Sequence, residues 1–223
     1  MCDLAEMFEG SLRVVHDLPG NWWAAWFLLA FSFGILQRVQ PNHRRWMQWA
    51  WTDPRLMVSE LADHRLQVSW VVANLLAGVA FSLTWSGLVA VSAAEPLSWS
   101  MVVRLFLFWN LLIGLRWLVS RLWALHAGEA LKGEVFLLHH RVIMESAAWL
   151  MAPVGFVCTA WGEQASRAGV WCAVAIWVAG WAIRQSRGLS QSPVFRKQPV
   201  LGILYLCGLE ILPVAVLFRT WQG

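Results

Sequence analysis

The sequence predicts an all-α membrane protein, folded as a bundle of transmembrane helices. Of its 223 residues, 59% are apolar and only 13% are charged, and the mean hydropathy is +0.55. One soluble core cannot hide that much apolar surface behind an ordinary polar skin. The apolar residues also come in blocks of about 20 residues, which is the length of a helix that crosses a hydrocarbon layer.

Six apolar blocks predict six spans, separated by short polar segments that hold most of the charge. The first and fifth are shorter than a usual span, so each is also consistent with a re-entrant segment, which would leave four or five spans. The acidic residues 1–20 lack the basic start of a signal peptide, so we expect an N-terminal extracytoplasmic segment followed by one bundle domain, 21–223. The predicted spans are Asn21 to Leu36, Val68 to Ala93, Met101 to Trp123, Val142 to Trp161, Ala168 to Ile183 and Val200 to Phe218.

Lysine and arginine are concentrated on one side of the predicted membrane. Twelve of the 17 lie in or beside the segments that follow spans one, three and five, and only Arg13, Arg167 and Arg219 lie on the opposite side. The positive-inside rule therefore predicts that both termini are periplasmic. Because the basic residues are scattered beside the spans and not gathered on a soluble module, we expect the lipid bilayer as a partner and no nucleic acid.

The segment 38–67 is the longest predicted connection and has a pattern of its own. Between Arg44 and Trp51 it interleaves cations with tryptophans, which is typical of a helix lying in the membrane interface. We expect an interfacial cytoplasmic segment whose apolar side contacts lipid; a docking site for a partner is the alternative interpretation.

Tryptophan is strongly over-represented, with 18 Trp against one Tyr. Most of them, including Trp22, Trp26 and Trp70, fall near predicted membrane boundaries, where the ring anchors a helix at head-group level. A ligand-binding aromatic cage is the alternative. Small residues at fourfold spacing, which let helices approach closely, predict packing faces within the bundle or between copies of the chain. They are Gly78, Ser82 and Ser86 in the second span and Ala175 and Ala179 in the fifth.

Several polar side chains lie inside the predicted spans, where exposure to lipid would be costly, so they should face the bundle interior and pair. Their depths, at about 1.5 Å per residue, bring Asn110 level with Glu210 near the midplane. The same arithmetic brings Arg116 within reach of Glu145 closer to the cytoplasm. Arg104 lies near the outer boundary, where a long side chain can extend to the head groups.

Glu210 interrupts the last apolar run and would lie near the bilayer centre, at a cost of roughly 3 kcal/mol or more. Pro213 follows it and can kink this helix as a hinge or a static bend. Two interpretations of the polar pairs remain open. Either they are structural clamps, or they line a path for a proton, an ion or a small solute in which Glu210 changes protonation.

No catalytic or cofactor-binding constellation is evident, so we expect neither an enzyme nor a bound cofactor. The six histidines fall in predicted loops or at cytoplasmic ends, which disfavours haem within the spans. A metal cluster that includes His126 and His139 lacks a supporting HExxH or CxxC signature, and no metal is predicted. Cys158 and Cys172 share a predicted depth, which is consistent with a disulfide or with two inert thiols.

The run from Tyr205 to Pro213, followed by Leu217, Phe218 and Arg219, resembles the C-terminal signature of an integral-membrane family of Bacteroidota, catalogued as domain of unknown function 4271. The resemblance is weaker upstream, over 65–85 and 104–136. It implies a multi-pass protein of the bacterial inner membrane with no established activity.

The sequence favours a non-enzymatic accessory or scaffold subunit of an envelope assembly or transport system, in contact with other envelope proteins or with copies of itself. The alternative is a small-solute or ion carrier, or a channel, that uses Glu210 as its protonatable intramembrane acid.

Overall fold

A computed structural model describes residues 20–53, 56, 68–93, 95–127 and 130–191, and within these ranges all the regular structure is helical. This confirms the all-α class. The described helices are α1 (Gly20–Val39), α2 (His43–Thr52), α3 (Val68–Ser92), α4 (Trp99–Ala127), α5 (Ala130–Ala160) and α6 (Glu163–Gln191).

Every described helix except α2 is long and apolar enough to cross a membrane, which makes five candidate spans. They correspond to the first five predicted spans. The first and fifth are not short: α1 has 20 residues, and the apolar part of α6 runs over the 22 residues Glu163–Arg184. The sixth predicted span, with Glu210 and Pro213, lies outside the described residues, as does the N-terminal segment 1–19.

Helices α4, α5 and α6 continue beyond the spans predicted for them. Helix α5 begins at Ala130 and α6 continues to Gln191, so segments expected as polar loops contain further helical turns. The predicted limits followed the loss of apolar character, but a polar helix whose backbone is already paired can extend into the head-group region. As a result Arg141 and Arg184 lie within helices.

Helices α3 and α5 form the centre of the bundle. Helix α3 packs against α1, α4, α5 and α6, and α5 packs against α2, α3, α4 and α6. Consecutive long helices run in opposite directions, which gives the bundle two ends. At the "α2 end", Trp46 of α2 stacks on Trp70 of α3. At the "far end", Trp22 at the start of α1 lies 6.1 Å from Trp99 at the start of α4, measured between ring centroids.

Glycines allow the closest helix contacts in the half of the bundle toward the far end. A Cβ atom added to Gly155 of α5 would lie 2.7 Å from Thr84 Cγ2 and 3.0 Å from Thr84 Cα, so the α3 and α5 backbones touch here. A Cβ on Gly87 would lie 2.5 Å from the Trp22 ring, and one on Gly169 would lie 2.8 Å from Cys158 Cβ. Such close approach is how helices gain packing energy where the surroundings are as apolar as the helices.

The small-residue face predicted for α3 packs within the bundle, and the one predicted for α6 does not. Ser82 and Ser86 are fully buried, and Gly78 faces the Trp109 ring. On α6, however, Ala175 and Ala179 are exposed, whereas Ala173 and Gly180 are buried. A row of small residues can lie on the side of an apolar helix that faces lipid or on the side that faces protein, because both surroundings accept small apolar side chains.

The interpretation of the tryptophans as boundary anchors is wrong for several of them. Trp22, Trp26 and Trp70 have exposed fractions of 0%, 6% and 1%, so they are part of the core. Trp161 and Trp171, at 79% and 72%, do face outward near the far end. Position along a span predicts depth, but it does not tell whether a ring points to lipid or to a neighbouring helix.

Candidate functional site

Helix α2 lies across one end of the bundle. In the turn before α2, the His43 N–H donates to the Gln40 carbonyl at 3.0 Å. The helix ends at Thr52, and the next N–H, that of Asp53, donates to the Trp49 carbonyl at 2.8 Å. His43, Trp46 and Ala50 are buried, and they share one face of the helix by their spacing. The opposite face exposes Arg44, Arg45 and Gln48.

The amphipathic character predicted for this segment is therefore present, but its apolar side packs on protein and not on lipid. An amphipathic pattern shows which side of a helix avoids water and does not identify what covers that side. This is the main correction to the sequence-based account of residues 38–67, as far as the structure describes them.

The most deeply buried polar contact of α2 joins it to α5. His43 Nε2 lies 2.7 Å from Glu145 Oε1, and the two residues are 1% and 0% exposed. On the other side of the imidazole, Nδ1 lies 3.1 Å from Gln37 Nε2, in the last turns of α1. His43 thus connects three helices through its two ring nitrogens.

Two further polar contacts join the same two helices. Trp51 Nε1 donates to Ser146 Oγ at 2.6 Å, and His139 Nε2 lies 3.3 Å from the Ala50 carbonyl oxygen. Together with His43–Glu145 they form what we call the α2–α5 clamp. Its three contacts involve both ends of α2, so the helix is fixed in position and in rotation.

The first turn of α3 completes this side of the bundle. The rings of Trp46 and Trp70 are stacked, with centroids 5.2 Å apart and planes 9° from parallel. Arg141 of α5 donates through Nη2 to the Trp70 carbonyl, and its guanidinium carbon lies 5.7 Å from the Trp70 ring centroid. A cation near an aromatic face is attracted to the ring quadrupole.

Among the described residues of this region, one carboxylate is fully buried. Glu145 Oε2 is buried and makes no hydrogen bond within the part of the chain that the structure describes. Arg141 lies one turn away on the same face of α5, and its charge acts on Glu145. Arg116 on α4 and Arg184 on α6 are also buried, at 3% and 1% exposed. Buried cations therefore outnumber buried anions among the described residues of the α2 end.

The predicted pairing of Glu145 is wrong in its partner. Arg116 is buried, as expected, but the side chain that contacts the Glu145 carboxylate is His43. The prediction considered only residues inside spans, and His43 belongs to a helix that was expected to face lipid. Its spacing to Trp46 and Ala50, three and seven residues on, is the signal that could have placed His43 on the buried face.

The remaining predicted polar residues have separate outcomes. Asn110 is half-buried and faces α3: its Oδ1 accepts from Asn74 Nδ2 at 3.4 Å, and its Nδ2 donates to the Phe106 carbonyl at 2.8 Å. Arg104 is exposed near the far end. The predicted partner of Asn110, Glu210, and the predicted hinge, Pro213, lie outside the described residues.

Both cysteines of the disulfide alternative lie among the described residues, as does His139 of the metal alternative. Cys158 and Cys172 are free thiols, and Cys158 packs against Gly169. Among the residues that the structure describes, no group of three His, Cys, Asp or Glu side chains is arranged to hold a metal ion. His139, which belongs to the metal alternative that the sequence disfavoured, contacts the α2 backbone.

Comparison with known proteins adds no assignment. Neither family models, nor curated proteins, nor solved structures give a match to this chain. The resemblance of the last predicted span to a Bacteroidota membrane family therefore stays a prediction.

Proposed function

We propose that this protein is a non-enzymatic scaffold or accessory subunit of the bacterial inner membrane, which holds the basic helix α2 at the cytoplasmic surface for other components of an envelope assembly or transport system. The observation that carries the proposal is the α2–α5 clamp. It uses buried polar groups of the bundle to fix a helix that does not cross the membrane.

The exposed side of α2 is suited to such a role. Arg44 and Arg45 point away from the bundle, and Arg38, in the last turn of α1, is exposed beside them in the chain. None of the three forms an ion pair with a described residue. Their charges are therefore open to acidic groups of a partner or to anionic lipid head groups.

The orientation in this proposal comes from the distribution of basic residues. Exposed arginines gather at the α2 end, and the positive-inside rule then favours the cytoplasm for that end. The bacterial inner membrane comes from the resemblance of residues 205–219. Labelling of a single cysteine introduced at Gln48, with a reagent that does not cross membranes, tests the orientation: reaction from the periplasm would reverse it.

A charge-reversal pair tests the scaffold function. Arg44→Glu changes the exposed side of α2, and Arg167→Glu makes the same change in charge at the exposed start of α6, near the far end. Tagged forms of the full chain are expressed in a native membrane and purified in mild detergent, and co-purifying proteins are identified by mass spectrometry. We expect Arg44→Glu to lose partners that wild type and Arg167→Glu retain. Equal partner lists for all three proteins would contradict the proposal.

A second function, a proton-coupled or ion-coupled carrier, is favoured by one specific observation. The buried carboxylate Glu145 has one oxygen without a hydrogen bond to a described residue, and intramembrane acids of this kind often belong to ion paths. Glu210, the acid predicted for this role, remains the alternative. Loss of proteoliposome flux in Glu145→Gln or in Glu210→Gln, with normal abundance of the protein, would support the carrier over the scaffold.

A further inference from the structure

The imidazole of His43 lies between two groups of different chemistry, and this limits where its protons can be. The 2.7 Å contact between His43 Nε2 and Glu145 Oε1 needs one proton between the two atoms. The 3.1 Å contact on the other side brings Nδ1 to the side-chain amide of Gln37. An amide has a donor end and an acceptor end, so it can pair with Nδ1 in either protonation state.

When the amide nitrogen of Gln37 lies toward the ring, Gln37 donates to a bare Nδ1. The ring is then a neutral imidazole whose proton is on Nε2 and is donated to the Glu145 carboxylate. After uptake of one proton, Nδ1 becomes a donor and needs an acceptor from Gln37. A half-turn of the Gln37 amide brings its oxygen to Nδ1–H.

We propose that Gln37, His43 and Glu145 form a proton-binding site at the α2 end of the bundle. The ligand is one proton, taken from the adjoining aqueous compartment and bound at His43 Nδ1. Glu145 stabilises the resulting imidazolium through Oε1, and Gln37 is a positioning residue that accepts the hydrogen bond from Nδ1–H. Histidine is the side chain that changes charge most readily in the physiological pH range.

The neighbouring helices supply the other charges that act on this site. Helix α5 contributes Arg141 and His139, α4 contributes the buried Arg116, and α6 contributes the buried Arg184. The residues Trp70–Ser92 of α3 include no titratable side chain, and the charged residues of α1 and α2 nearest the site, Arg38, Arg44 and Arg45, are exposed. Asp53, which follows the last turn of α2, is half-buried. Glu145 is the carboxylate that contacts His43 directly, so it is the group that offsets a positive His43.

Proton binding would alter the contact that holds α2. With the proton bound, α2 and α5 are joined by an ion pair between imidazolium and carboxylate; without it, a neutral imidazole donates one hydrogen bond. The position of the basic face of α2 would then depend on the pH of the compartment at that end. This consequence rests on the proposed scaffold function, whereas the proton-binding site does not.

Nitrogen-15 NMR of the full chain, labelled at histidine and held in lipid nanodiscs, tests the site directly. The two ring nitrogens give distinct signals for each tautomer and for the imidazolium, and His43→Asn identifies which signals belong to His43. We expect the His43 signals to change from the neutral form with the proton on Nε2 to the imidazolium as the pH is lowered through the range in which the protein stays folded. His43 signals that stay the same over this range would overturn the proposal.

The role of Gln37 is tested by matched substitutions. Gln37→Leu removes the acceptor for Nδ1–H, so the transition should move to lower pH, and Gln48→Leu, on the exposed side of α2, should leave it unchanged. Gln37→Met repeats the test if the leucine variant does not fold. A transition in the Gln37 variants at the wild-type pH would contradict the site. The measurement needs no partner protein, so its result is independent of the co-purification experiment.

Discussion

The two ends of this bundle are stabilised by different kinds of interaction. Toward the far end, two buried hydroxyl groups are satisfied within their own helices: Ser82 Oγ donates to the Gly78 carbonyl at 2.6 Å, and Thr159 Oγ1 donates to the Gly155 carbonyl at 2.7 Å. The buried Ser166 Oγ of α6 is an exception, because it donates to the Cys158 carbonyl of α5 at 2.9 Å. The close contacts between helices there depend on shape, through Gly87, Gly155 and the Trp22 ring. At the α2 end, buried polar groups pair across helices, as His43 does with Glu145.

This difference shows where the structure tolerates change. A polar group satisfied by its own helix remains satisfied when a neighbouring helix shifts. The stability of the far end should therefore depend mainly on the volume of the side chains between helices. A group satisfied by another helix loses its partner when that helix moves, and an unpaired buried charge is costly. The α2 end should therefore be sensitive to chemistry at unchanged volume, and the far end to volume at unchanged chemistry.

The largest effect is expected from Glu145→Leu, which is close in volume but leaves His43 buried without its partner. We expect the free energy of unfolding to fall by about 3 kcal/mol, because breaking one side of a buried pair strands the other group. Denaturant titration in micelles, followed by circular dichroism, measures the change.

The matched control is Glu163→Gln, which alters an exposed pair with Arg167 on the surface of α6. Exposed pairs contribute roughly 0 to 1 kcal/mol, so this variant should be close to wild type. Equal losses in Glu145→Leu and Glu163→Gln would show that the α2 end does not depend on its buried pair.

At the far end, Gly155→Ala changes volume and adds no polar group. Its Cβ would meet Thr84 at 2.7 Å, with the α3 backbone at 3.0 Å, so α3 and α5 must move apart. We expect a loss of about 2 kcal/mol in the free energy of unfolding, as for other overpacked cores. Gly114→Ala on α4 is the control, because nothing lies within 4 Å of its added Cβ. A Gly155→Ala protein as stable as the Gly114→Ala protein would contradict the close approach of α3 and α5.

Trp51→Phe separates hydrogen bonding from packing within the clamp. It removes the Nε1 donor that lies 2.6 Å from Ser146 Oγ and keeps most of the aromatic surface. We expect a loss of about 1 kcal/mol, measured by the same titration. Trp161→Phe, at a ring 79% exposed, should change stability little. If the two variants behaved alike, Trp51 would contribute packing and no hydrogen bond.

The smallest effect on stability is expected from Arg44→Gln. The side chain is exposed and forms no ion pair with a described residue, so stability should stay within about 0.5 kcal/mol of wild type. Co-purification of partners, in contrast, should decrease. A marked loss of stability would mean that Arg44 supports the fold. The exposed arginines of α2 would then not be available for a partner alone, which would contradict their proposed role.

The sequence predicted the far end better than the α2 end. The spacing of Gly78, Ser82 and Ser86 indicated a packing face of α3, and burial of these residues confirms it. Small residues matter for close approach whichever helix is the neighbour, so the prediction needed no knowledge of the partner. Whether Trp22 faces lipid or protein did depend on that knowledge, and its assignment as a boundary anchor was wrong.

The α2 end depended on a contact that no local pattern encodes. His43 and Glu145 are 102 residues apart in the chain, and the pattern around each indicates burial without indicating the partner. Depth arithmetic correctly indicated that Glu145 would be buried. It assigned Arg116 as the partner because α2, as an amphipathic helix, was assumed to contact lipid. Whether such a helix faces lipid or protein is decided by the bundle surface that it meets.

The most direct test of the central claim, that a buried His43–Glu145 pair holds α2 on the bundle, is a double-mutant cycle. The free energies of unfolding of wild type, His43→Leu, Glu145→Leu and the double variant give the coupling between the two positions. We predict a coupling of more than about 1 kcal/mol, with the double variant more stable than Glu145→Leu alone, because a buried pair replaced as a whole leaves no polar group without its partner. Losses that simply add in the double variant would contradict the account.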